Sequence, residues 1–126
     1  MLFRSRDNAT LTGASWSTWK TTTMGSCFVA SNQYGCFIDA STNPVTIAAC
    51  SSSNCGTLNT NSVSGLYGYQ SGASWTATPY QRVIKIYNEP TTDANANEIR
   101  VEVQLSWSQG ILTKSFIARE DLLNWQ

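Results

Sequence analysis

The stretch Glu98-Ile99-Arg100-Val101-Glu102-Val103-Gln104-Leu105-Ser106-Trp107 alternates polar and apolar residues without a break. Ile99, Val101, Val103, Leu105 and Trp107 fall on one side. Arg100, Glu102, Gln104 and Ser106 fall on the other. Period two with branched and aromatic residues on the apolar side predicts a half-buried strand. Ser108-Gln109-Gly110 is turn chemistry, and Leu112 to Ala118 returns as a second strand, so the pair reads as a hairpin. Glu120 to Trp125 closes the chain with an apolar anchor. Upstream, Tyr80 to Tyr87 alternates as well, with Tyr80, Arg82, Ile84 and Ile86 on one face. Glu89 to Asn97 is a polar connector. The second half therefore reads as an antiparallel sheet, apolar on one face, and that face needs a cover.

The first half is less regular. Arg6 to Trp19 has a weak helical start that Gly13 would stop. Lys20 to Ser26 has loop composition. Cys27-Phe28-Val29-Ala30 and Cys36-Phe37-Ile38-Asp39-Ala40 read as short strands around the turn at Ser31 to Gly35. Ser41-Thr42-Asn43-Pro44 is a further turn, with Val45-Thr46-Ile47 extended after it. Residues 51 to 65 read as loop, Leu66 to Tyr69 as a short aromatic strand, and Gln70 to Thr78 as loop again.

Composition narrows the function. Eight basic and eight acidic residues cancel, and charged residues are only 13% of the 126-residue chain. A nucleic-acid binder would need a basic stripe, so no nucleic-acid partner is expected. The chain has no histidine. That removes His-based acid–base catalysis, Ser–His and Cys–His nucleophiles, and most catalytic zinc sites.

The cysteines are Cys27, Cys36, Cys50 and Cys55. Their spacings lack the Cys-x-x-Cys knuckle of a zinc site, so disulfides are expected. Pairing Cys27 with Cys36 and Cys50 with Cys55 is the local solution, but four cysteines allow three connectivities and spacing does not choose among them. Disulfides imply the periplasm or cell exterior. No apolar run approaches a membrane span or signal-peptide core. An upstream export element is therefore expected to be missing. Met1-Leu2-Phe3-Arg4-Ser5 matches a translated sequencing adapter, so residues 1–5 are read as a non-native leader and 6–126 as one domain. Membrane attachment would come only through the missing segment.

The strand at Arg82 to Ile86, the alternating run ending in Ser106-Trp107, the turn at Gly110, and Lys114-Ser115-Phe116-Ile117-Ala118 together resemble the end of a type IV pilin-like or pseudopilin-like head. Arg6-Asp7-Asn8-Ala9 is similar to the tail of the long pilin helix. The resemblance implies an α+β fold: a helix remnant over 6–19, a variable loop and disulfide-pinned β-meander over 20–78, and an antiparallel sheet over 79–126. It implies a non-catalytic structural subunit of a bacterial surface filament, either a minor pilin or a pseudopilin, truncated before its assembly helix. Its partners would be other pilin subunits, and its exposed apolar sheet would lead to self-association. The basic leader, the processing site and the apolar helix of that family are absent from the chain.

Other features carry sharper and blander readings. Asp93, Asn95 and Asn97 space oxygen ligands as calcium loops do, but without an EF-hand's glycine or bidentate glutamate. An Asx-rich connector explains them as well, and no cofactor is expected. Trp75, in a Gly/Ser/Thr loop, and Tyr67 and Tyr69 are candidate ligand contacts. The alternative function is thus a secreted binding module for glycan or protein. Trp16, Trp19 and Tyr80 read as packing residues. Arg82, Lys85 and Arg100 would form a basic patch were it not for Glu89 and Glu102 nearby. Asn8-Ala9-Thr10 matches a glycosylation sequon. Asp39, Asp93, Glu98, Glu102, Glu120 and Asp121 are the carboxylates available to an enzyme. No two of them read as facing one another across a cleft, as a glycosidase would need, so no enzyme is expected.

Overall fold

The structure, a computed structural model, describes residues 15–124. The leader at 1–5, most of the helix expected over 6–19, the sequon at Asn8 and the anchor Trp125 lie outside the described residues.

The chain is built on strand. β1 is Cys36–Asp39, β2 Thr46–Ala49, β3 Thr57–Asn61, β4 Tyr67–Gly68, β5 Trp75–Glu89, β6 Glu98–Gln109 and β7 Leu112–Leu123. All seven lie in one sheet, and every pairing between them is antiparallel. β5 organises it. One edge of β5 is taken by β6, from Tyr80 opposite Trp107 to Glu89 opposite Glu98. The other edge is filled in turn by β3, by β1 where Cys36 faces Ile84, and by a single parallel bridge from Phe28 to Ile86. β7 continues the sheet beyond β6 and, among the described residues, pairs with no other strand.

The α+β pilin-like expectation is corrected by this architecture: the chain is largely β. Among the described residues, helical structure is confined to short turns, an α-turn at Trp16–Thr18, a π-turn at Trp19–Thr23 and a 3₁₀ turn at Gly25–Cys27. Ser15 caps the first, its Oγ accepting from Thr18 N at 3.1 Å. Thr21-Thr22-Thr23 and Gly25 then prevent a longer helix, because β-branched residues and glycine are poor helix formers. The segment 20–26, expected as loop, is thus helical turn. Cys27 to Ala30, expected as strand, forms only the bridge at Phe28. Two stretches expected as loop carry strand: β3 within 51–65, and the start of β5 within 70–78. The division placed between residues 78 and 79 falls inside β5.

A proline helped hide that strand. Pro79 has no N–H to give a ladder and is disfavoured inside a sheet. Here the register of β3 against β5 shifts between Thr57 and Asn59. Thr78 mends the gap. Its Oγ1 donates to the Leu58 carbonyl at 2.7 Å and accepts from Tyr80 N at 3.2 Å.

The alternation in β5 and β6 places Ile84, Ile86, Ile99 and Val101 on one face, joined by Leu122 of β7. The helical turns cover that region with Trp19, Met24, Cys27 and Phe28, and together they form the main core. Trp16 stacks on Trp19 with ring centroids 5.3 Å apart and gives its Nε1 proton to the Ala96 carbonyl at 3.1 Å. On the opposite face, Val83 packs with Cys50, Cys55 and Phe37 in a smaller cluster.

The disulfides are Cys27–Cys36 and Cys50–Cys55, the local solution among the three. Each sits in one of the two cores. They fit an oxidising, non-cytoplasmic compartment. Among the described residues no helix is long and apolar enough to cross a membrane. Short loops of this size stabilise by about 2–3 kcal/mol each in the chain-entropy picture. Non-reducing peptide mass spectrometry is expected to show the 27–36 and 50–55 links, and reductant to lower the urea midpoint by an amount matching the loss of both. An unchanged midpoint would show that the bridges add nothing to stability.

Candidate functional site

Asp39 is buried, at 1% exposure, where the end of β1 meets β4. Its Oδ1 accepts from Ser41 N at 2.9 Å and from Ser41 Oγ at 2.5 Å. Its Oδ2 accepts from Tyr69 N at 2.9 Å and Gln70 Nε2 at 3.2 Å. Burial pushes the carboxyl up, but these four bonds, the Ser41 hydroxyl foremost, outweigh burial and hold it below the ordinary carboxylate value. Gly68 makes the approach feasible: a Cβ there would stand 2.5 Å from Ser41 Oγ and 2.7 Å from Asp39 Oδ1. An acceptor this fully engaged works as a knot. It ties the turn after β1 to the end of β4.

Lys20 is a second knot, 6% exposed. Its ammonium donates to Asn88 Oδ1 at 2.8 Å, Ala94 O at 3.1 Å and Ala96 O at 3.0 Å. Burial lowers its pKa, and the charge of Asp93 partly offsets this. All three ammonium protons are used, so the side chain joins the helical turns to the β5–β6 connector. Sequence reasoning missed both roles. Asp39-Ala40-Ser41 carries an Asx-turn signal that could have marked Asp39 as a turn acceptor. Lys20, one lysine among threonines, carried no signal.

The residues singled out from sequence do not converge. Tyr67 lies opposite Thr60, which lies opposite Thr76, while Trp75 faces Asn61. Neighbours on a strand point to opposite faces, so Tyr67 and Trp75 stand on opposite sides of the sheet. Tyr69 packs its ring on Phe37, centroids 4.5 Å apart, and donates its hydroxyl to the Arg82 carbonyl at 3.2 Å. Asp93 Oδ1 accepts from Asn95 N at 2.8 Å, and Asn97 Oδ1 accepts from Asn124 Nδ2 at 3.2 Å, so two of the calcium-type oxygens serve the connector itself. Among the described residues no group of three acidic or cysteine ligands is placed to hold a metal ion.

The charges of the outer face are mixed. Arg100 forms ion pairs with Glu89 at 2.7 Å and Glu102 at 3.2 Å, and Arg119 forms one with Glu102 at 2.9 Å. Lys85 lies opposite Glu102. Arg82 is on the other face and donates to the Ile38 carbonyl at 2.7 Å. Of the remaining carboxylates, Glu98 lies opposite Glu89, and Glu120 and Asp121 point to opposite faces of β7.

Among the described residues, the outer half of the core-side face, near the β6–β7 turn, is open. Beyond Val103, which packs against the main core, Tyr80, Leu105 and Trp107 continue the apolar rows there and are only half-buried. Beside them on β7, Phe116 is 62% exposed and Leu112 60%. The Tyr80 and Trp107 rings lie 6.0 Å apart. Among the described residues, the helical turns reach only the other half of this face and leave an apolar strip and the outer edge of β7 uncovered. No protein-family model, curated protein or solved structure matches the chain.

Proposed function

We propose that the domain is an exported, non-catalytic structural subunit of a bacterial surface filament, of the minor-pilin or pseudopilin kind. The observation that carries this is the divided sheet face. One half is closed by Trp19, Met24 and Phe28, and the other presents Leu105, Trp107 and Phe116 to solvent. A contiguous apolar strip beside a completed core suits a domain that finishes its packing against another protein chain. Two disulfides suit export. The two buried charged groups among the described residues, Asp39 and Lys20, are saturated with hydrogen bonds inside the fold, which suits a scaffold better than a catalyst. The filament class rests on the likeness of Tyr80 to Trp125 to minor pilins.

The test is the coding DNA upstream of residue 6. A basic leader, a processing site and an apolar helix joined in frame are the expected finding. A cleavable signal peptide joined directly to Arg6 would overturn the filament reading.

A further inference from the structure

We infer that β7 is a self-pairing edge: two copies of this chain join β7 to β7, antiparallel, across a two-fold axis at Ile117. This goes beyond the filament reading and does not depend on it.

The edge is long and open. β7 runs twelve residues, pairs among the described residues only with β6, and is exposed along its length except at Leu122. The turn before it sets which backbone groups face outward. Gln109 lies opposite Leu112 across the two-residue turn Gly110-Ile111, with Gly110 at φ 62° and Ile111 on the negative side. Glycine at the first central position marks a type II′ hairpin, which closes on a hydrogen-bonded pair. Leu112 and every second residue after it then bond to β6. Thr113, Ser115, Ile117, Arg119 and Asp121 turn their N–H and C=O groups to the free edge. Ile117 meeting Ile117 across a dyad would form a reciprocal hydrogen-bonded pair.

Side-chain charge selects that register. Lys114 and Glu120 each stand three residues from Ile117, on the same face. Antiparallel pairing centred on Ile117 sets Lys114 against Glu120 of the second copy, and by symmetry does so twice. It also sets Phe116 against Ala118, Ser115 against Arg119, Thr113 against Asp121 and Leu112 against Leu122, with no like charges opposed. Moving the centre to residue 116 sets Glu120 against Leu112. Moving it to 118 sets Glu120 against Phe116. Either shift leaves Lys114 without its partner. A centre at 119 opposes two arginines. Cross-strand pairs of opposite charge stabilise and like pairs destabilise, so one register stands out. Charges on an edge strand ordinarily block sheet extension. Here they are arranged to admit one alignment.

The experiment is sedimentation equilibrium of the disulfide-bonded chain with Lys114→Glu, Glu120→Lys and the double swap. The wild type is expected to dimerise. Each single change turns two attractive pairs into two repulsive ones and is expected to weaken the dimer about tenfold. The double swap is expected to restore it. Both side chains changed are exposed in the monomer, and near-ultraviolet dichroism checks that the fold survives. A wild type that stays monomeric at high concentration overturns the proposal. So does a dimer indifferent to the single swaps, which would place the contact on the apolar strip or with a different surface. Singles that weaken the dimer without rescue by the double swap overturn the register.

Discussion

Asp39→Ala is expected to destabilise the domain by about 3 kcal/mol or more at neutral pH. The change strands the Ser41 and Tyr69 N–H groups and the Gln70 amide, all of which point at the carboxylate. Buried donors left unpaired cost roughly 1–3 kcal/mol each, less where water can reach them. Asp39→Asn keeps the shape and one acceptor, so it is expected to cost about 2 kcal/mol. The pair separates packing from charge. The sign of the pH dependence follows from the depressed pKa. The unfolded carboxyl titrates at about 4, and the folded one below that. Above the unfolded value the carboxylate's contribution is fully present. As pH falls through the folded value the native state must take up the proton and the contribution is lost. Urea titrations from pH 7 downward are therefore expected to show the wild type losing its advantage over Asp39→Asn below about pH 4. If the two lose stability in parallel, Asp39 does not carry the acid sensitivity.

Trp19→Ala is expected to cost about 3–5 kcal/mol, a large share of a small domain's stability. Trp19 is 1% exposed and stacks on Trp16. It belongs to the layer that closes the sheet over Ile86 and Ile99, both fully buried. Removing it opens a cavity the π-turn is too short to refill. Trp107→Ala, on the uncovered half of the same face, is expected to change stability much less, since its ring is only half-buried. Thermal melts of the two variants compare covered with uncovered sheet directly. Equal losses would mean that the division of the face has no energetic counterpart.

The C-terminal meander was legible because its strands announce themselves locally. Strict alternation from Ile99 to Trp107 and the Gly110 turn are self-sufficient signals. β3 was hidden because Thr57-Leu58-Asn59-Thr60-Asn61 has one apolar residue, Leu58, and is held by the neighbours on either side of it. The first residues of β5 were hidden because Pro79 argues against strand until Thr78 is seen to supply the missing bond. The expectation of a helix-covered head failed for a related reason. A cover was rightly required, but helix was the wrong material for the residues described: compact turns around Trp19 and Met24 close half the face, and half stays open. The candidate aromatics were chosen by loop composition, which says nothing about facing, and the register of β3 with β4 and β5 sets Tyr67 and Trp75 apart.

By itself the sequence determined the antiparallel hairpin, the polarity of its two faces, the absence of histidine chemistry and the presence of disulfide-forming cysteines. Each of these is a property of residue type or of neighbours within one strand. The tertiary structure alone decided the cysteine pairing, the merging of all seven strands into one sheet, the burial of Asp39 and Lys20, and the open edge at β7. Those depend on contacts between residues distant in the chain, such as Lys20 with Ala96 and Asp39 with Tyr69, and local pattern does not encode distant contacts.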